Sequence, residues 1–190
     1  MTRKIHDTDY LFLTTRVRAL EGCLLNRGQM EQMLEAGSPE EAARILTDCG
    51  YPELETVSAI TVGEMLTRER ERLFQDLAEL VPDPAILAVF QLPHDYHNVK
   101  VLLKSEAMGI QEDRLLVDAG RIPPKRLAAA LRSGEVQNLP PQLGEAIDEA
   151  RQVLSATRDP QLGDMVLDRC YFQELLVLAE ETGSLFLQGY

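Results

Sequence analysis

Proline stands at the head of one helical pattern after another in this chain, and that punctuation leaves room for little except helices. Ser38-Pro39, Asp83-Pro84, Ile122-Pro123-Pro124, Pro140-Pro141 and Asp159-Pro160 each precede a run of good helix formers. Proline fits there because its missing N–H falls where helical N–H groups lack a partner anyway, and a preceding Ser or Asp can accept from the free donors. Glu41 can close a capping box on Ser38, and Thr61-Val62-Gly63-Glu64 reads as another. Between these starts the apolar residues step by three and four. Tyr10, Leu13, Val17, Leu20 and Leu24 share one face, as do Leu66, Leu73, Leu77 and Leu80. Asp7, Thr8 or Asp9 can cap the first of these helices. Glu64–Arg68 and Arg72–Asp76 are spaced as ion pairs on the solvent side of the second.

Further along, a helix from Asp83-Pro84 is expected to end near Pro93, where Asp95 caps the next, with Tyr96, Val99, Leu103 and Ile110 on one face. Helices are expected over about 125–132, 142–157 and 160–182. In the last of these, Val166–Ala179 is apolar nearly all round and reads as buried. No stretch alternates long enough to argue a strand, so the expected fold class is all-α.

The helix faces recur. Asp9-Tyr10, Leu13, Val17 and Leu24 map onto Asp95-Tyr96, Val99, Leu103 and Ile110 at a constant offset of 86. Leu34-Glu35-Ala36-Gly37 resembles Val117-Asp118-Ala119-Gly120, each followed by a proline-started helix. The helix from Gly63-Glu64 matches that from Gly144-Glu145, and Asp83-Pro84 matches Asp159-Pro160. Ordered recurrence of this kind indicates a degenerate repeat of two helix clusters, over 1–92 and 93–190. Tyr10, Leu13, Val17, Tyr96, Val99 and Leu103 are its expected core anchors.

Composition narrows the chemistry. The net charge is −12 over 190 residues, and such a surface repels nucleic-acid phosphates and anionic headgroups. Basic protein surfaces fit it as partners. Three scattered cysteines argue against a disulfide framework. The first ten residues lack the apolar core of a signal peptide, and the longest apolar run is far short of a membrane span. Direct membrane insertion is not expected.

Phosphate-binding glycine loops, HExxH, EF-hand loops and nucleophile elbows are all missing from the sequence. His94-Asp95-Tyr96-His97 is the one cluster with metal-ligand residue types. His94 follows Pro93 and precedes the Asp95 cap, so the two rings need not share a face. Its structural reading is a capping Asp95, a packed Tyr96 and polar flanking histidines. Cys170 reads as a small buried hydrophobe. Catalytic, cofactor-binding and metal-binding residues are therefore expected to be none.

Asp95-Tyr96-His97-Asn98-Val99-Lys100-Val101-Leu102-Leu103-Lys104 resembles a hallmark segment of the C subunits of V/A-type ATPases (ATP synthases), the counterparts of the d subunit in eukaryotic V-ATPases. The segments Tyr10–Glu21, Met33–Ala36, Glu41–Leu46 and Tyr171–Leu176 resemble that family too, so the resemblance covers the whole chain. It implies two of the three similar helical bundles of a funnel-shaped protein, the third being absent here. It implies a non-catalytic central-stalk role, linking the rotor shaft to the membrane rotor ring and passing torque coupled to proton or sodium transport. The implied partners are other V/A-ATPase subunits, the shaft and the ring. The implied location is cytoplasmic, attached peripherally to the membrane through the complex. Two other readings stand beside it. One is a helical-repeat interaction adaptor. The other is an all-α enzyme with carboxylates converging in a cleft.

Overall fold

The computed structural model describes residues 6–110 and 113–189. Among the described residues every regular element is helical. The chain divides into two compact units, Met1–Pro82 and Asp83–Tyr190.

The first unit holds α1 (Leu11–Glu21), α2 (Arg27–Glu35), α3 (Pro39–Asp48) and α4 (Ala59–Leu80). Side chains fix where these begin. Asn26 accepts from the Gln29 N–H (3.0 Å) while the Gln29 side chain accepts from the Asn26 N–H (2.9 Å), a reciprocal box that starts α2. Ser38 accepts from the Glu41 N–H (3.2 Å), whereas the Glu41 carboxylate reaches past Ser38 to the Gly37 N–H (2.9 Å). The box expected at Thr61–Glu64 is corrected to Ser58–Thr61, so α4 begins at Ala59. At the chain start, Asp9 accepts from the His6 N–H (2.9 Å) and closes a 3-10 turn ahead of α1.

Of the two expected ion pairs on α4, Glu64–Arg68 forms at 3.2 Å. Asp76 instead takes Arg16 of α1 at 3.1 Å, and Arg72 turns to Glu69. The tertiary partner wins because α1 runs alongside α4. Among the described residues of this unit, Leu46, Cys49 and Met65 are the buried apolar side chains.

The second unit holds α5 (Pro84–Met108), α6 (Pro124–Ser133), α7 (Pro141–Thr157), α8 (Pro160–Glu181) and the short α9 (Leu185–Gly189). Asp83 and Asp159 open α5 and α8 in the same way, each accepting from the N–H two residues on, at 3.0 and 2.9 Å. The break expected at Pro93 does not occur. Pro93 lies inside a continuous α5, which ends at Gly109 in the left-handed region (φ 65°). An interior proline costs about 3 kcal/mol. Leu92, Tyr96, Val99 and Leu103, buried on one side of α5, offset it. They pack with Leu127, Leu131, Leu143, Ile147 and Leu167 from α6, α7 and α8.

α5 and α8 run antiparallel. As the α5 positions climb through Tyr96, Lys100 and Lys104, their partners descend through Glu174, Asp168 and Asp164. The expectation that Val166–Ala179 of α8 is buried is corrected. Leu167, Glu174 and Ala179 are buried, but Phe172, Leu176 and Val177 are exposed, and Cys170 is half-buried.

Candidate functional site

The polar chemistry of the second unit converges on one place. Asp95 lies midway along α5, on the face that packs inward. Arg121 lies in the segment leading to α6, and Glu174 is deep in α8. Asp95 has no exposed surface and Glu174 only 4 %. Arg121 Nε donates to Asp95 Oδ2 (2.7 Å), and Arg121 Nη1 donates to Glu174 Oε1 (2.8 Å). The Ile122 N–H donates to Asp95 Oδ1 (3.1 Å), and the Tyr96 hydroxyl donates to Glu174 Oε2 (2.9 Å). One guanidinium thus bridges two carboxylates from two helices. Both carboxylates have further donors, which is what makes buried charge tolerable.

The backbone is shaped around this cluster. A Cβ at Gly120 would overlap Asp95 Oδ1, so only glycine lets the carboxylate come this close. One turn along α5, buried Asn98 holds the same segment at a second point. It donates to the Val117 carbonyl and accepts from the Val117 N–H, both at 2.8 Å. Asp95 and Asn98 together fix residues 117–122 against α5, and that segment delivers Arg121.

Burial dominates the electrostatics. It pushes the Asp95 carboxyl above its ordinary value, even though Arg121 and the Ile122 N–H pull the other way. It also pushes the Tyr96 phenol up, with the Glu174 charge adding to the effect. For Arg121, burial opposes the charge. The hydrogen bond to Asp95 and the Glu174 charge outweigh it and hold the guanidinium above its usual value.

This arrangement changes the reading of Asp95. It does not cap a helix, because α5 continues through it. It caps the loop ahead of α6 instead. Tyr96, Val99 and Leu103 are buried, at 2 %, 0 % and 3 % exposure. Tyr10 and Leu13 are half-buried, and Val17 is exposed at 37 %. His97 donates from Nε2 to the Leu115 carbonyl (2.9 Å). Among the described residues no group of three or more His, Cys, Asp or Glu is placed to hold a metal ion.

Arg121 and Glu174 were not singled out by the sequence. Glu174 carried a signal, being an acid inside the apolar stretch of α8. Arg121 carried none, since its role depends on a loop path that spacing does not reveal. Two acids do converge, as an enzyme reading would require. They do so inside a packed helical interface rather than a cleft, on a guanidinium that binds both. The cavity of about 540 Å³ near the end of α7 is lined by one carboxylate, Glu106, which Arg151 holds at 2.9 Å.

Comparison with known proteins adds the evolutionary context. The family model described as ATP synthase (C/AC39) subunit matches residues 13–189. The V-type sodium ATPase C subunit of Enterococcus hirae is 29% identical over 176 residues, covering 92% of this chain and 54% of that protein. The A-type ATP synthase C subunit of Methanocaldococcus jannaschii is 26% identical over 129 residues, covering 62% of this chain and 32% of that protein. The chain therefore spans about half the length of the first relative and about a third of the second.

Proposed function

The chain belongs to the ATP synthase (C/AC39) subunit family, and we propose that it serves as a non-catalytic central-stalk component of a V/A-type rotary ATPase. In this role it links the rotor shaft to the membrane rotor ring and transmits torque coupled to proton or sodium transport. The family match over residues 13–189 is the observation that carries the reading.

Physical features agree with a load-bearing part. A coupling element must resist deformation, and close-packed helices do so because their interiors have few voids to collapse into. In the second unit, apolar packing along α5 and α8 is supplemented by the Arg121 bridge and by Lys100–Asp168 and Lys104–Asp164 (2.5 and 2.6 Å). The bridge is directional, so sliding α8 along α5 would strand buried charge. No helix among the described residues is long and apolar enough to cross a membrane. Attachment then runs through other subunits, with the complex at the cytoplasmic face. The net charge of −12 favours basic surfaces on the shaft or ring.

The test is reassembly. Rotary ATPase particles lacking this component are reconstituted into vesicles, with and without the purified chain. ATP-driven ion uptake is expected only with the chain, while the chain alone hydrolyses no ATP. Uptake that does not respond to the chain, or turnover by the chain alone, contradicts the reading.

A further inference from the structure

A chain built from repeated helix clusters has an inherent problem. Its similar apolar faces can dock on one another's partners, and misassembly of this kind is a characteristic failure of repeat proteins. We propose that the Asp95–Arg121–Glu174 cluster is a packing-specificity lock that admits α8, and no other helix of the repeat, onto α5. The inference rests on the repeat register of the sequence and not on the rotary role.

At the offset of 86, Asp95-Tyr96 corresponds to Asp9-Tyr10, so both copies offer the same pair at the head of the same face. The other two members differ. Gly120 corresponds to Gly37, which places Ser38 at the position of Arg121. Asp159-Pro160 corresponds to Asp83-Pro84, which places Asn98, itself on α5, at the position of Glu174, so that register supplies no second acid. The ionic triad is therefore complete in the second copy alone.

Each counterpart has other work. Ser38 caps α3, Asn98 holds the Val117 backbone, and Asp9 accepts from the His6 N–H. If α8 docked where Ser38 stands in place of Arg121, Glu174 would be buried without a guanidinium. If a helix without an acid at that position took the place of α8 on α5, Arg121 would lose one carboxylate and the Tyr96 hydroxyl its charged acceptor. Buried charge penalises a wrong partner far more than it favours the right one, which is how specificity is obtained by exclusion. The site's construction supports this. Gly120 is needed for close approach, and groups from three separate segments, α5, the loop ahead of α6 and α8, meet there. The Lys100–Asp168 and Lys104–Asp164 pairs are more exposed and easier to satisfy elsewhere, so they discriminate less.

The test separates specificity from stability. In the full chain, Asp95→Leu, Arg121→Met and Glu174→Leu are combined, replacing the triad by apolar side chains. The urea midpoint is expected to stay near or above that of the natural chain. The amide ¹H–¹⁵N spectrum is expected to show doubled or broadened signals for α8, where the natural chain gives one sharp set. A second variant, Asp95→Asn, Arg121→Met and Glu174→Gln, keeps polar shape and is read in the same way. One sharp set of α8 signals in either variant overturns the proposal. Loss of cooperative unfolding in both overturns it too, because the cluster would then be a stability element.

Discussion

At the scale of single residues, the second unit is organised around a charge that is not welcome where it sits. Asp95 is fully buried, and burial outweighs the pull of Arg121 in setting its protonation. Its folded pKa therefore lies above the ordinary 3.8, so between the unfolded and folded values the folded state binds more proton at this group than the unfolded chain does. Stability from this group is complete below the unfolded value and is lost as pH rises through the folded one. Asp95→Asn removes that dependence. The stability of the natural chain relative to this variant is expected to grow as pH is lowered towards about 4, read from urea unfolding at a series of pH values. A difference that shrinks over this window contradicts the assignment. Arg121 has the opposite character, since both carboxylates depend on it. Arg121→Met leaves two buried acids uncompensated and is expected to cost about 3–5 kcal/mol by denaturant unfolding. A loss under about 1 kcal/mol would mean that water reaches the site. Tyr96→Ala removes a buried ring that stacks edge-on against Tyr171 (5.7 Å between centroids) and donates to Glu174. It is expected to cost about 3–5 kcal/mol in the same measurement.

At the scale of elements, helix type was legible and helix ends were only partly so. Ser38, Asp83 and Asp159 announce their helices correctly because a capping side chain acts within two or three residues, a range over which sequence determines geometry. Pro93 misleads for the opposite reason. Its local preference is to end a helix, but α5 is buried on both sides of it, and tertiary packing overrides the local rule. The same competition hides the charge cluster. Asp95 looks like a cap when read beside Pro93, whereas in the folded chain it reaches a loop 26 residues away. Asp76 shows it again, leaving its neighbour Arg72 for Arg16 of α1. In α8, apolar composition overstated burial because helix–helix contact covers one stripe and leaves Met165, Phe172 and Leu176 outside it. α7 ends on Arg158 in the left-handed region (φ 56°), a conformation that favours glycine. Arg158→Gly is expected to raise stability by about 1 kcal/mol in urea unfolding. A loss of stability would show that the arginine side chain does more than end the helix.

At the scale of the whole molecule, the two compact units differ in how much they enclose. The second surrounds an extended apolar core and the Asp95–Arg121–Glu174 cluster, while the first buries Leu46, Cys49 and Met65. The repeat expected from the sequence and the compact units do not share a boundary. The expected repeat divides at residue 92, whereas α5 runs unbroken across that point and the units divide at Pro82. Family membership rests on nearly the full chain, whereas the relatives extend well beyond it. The rotary role is therefore best tested by physical incorporation into the machine. The most direct measurement is native mass spectrometry of ATPase particles purified through an affinity tag on this chain. The expected result is its 21.3 kDa mass in fixed stoichiometry with shaft and rotor-ring proteins. Recovery of the tagged chain alone, or of intact rotor particles that exclude it, would contradict the account.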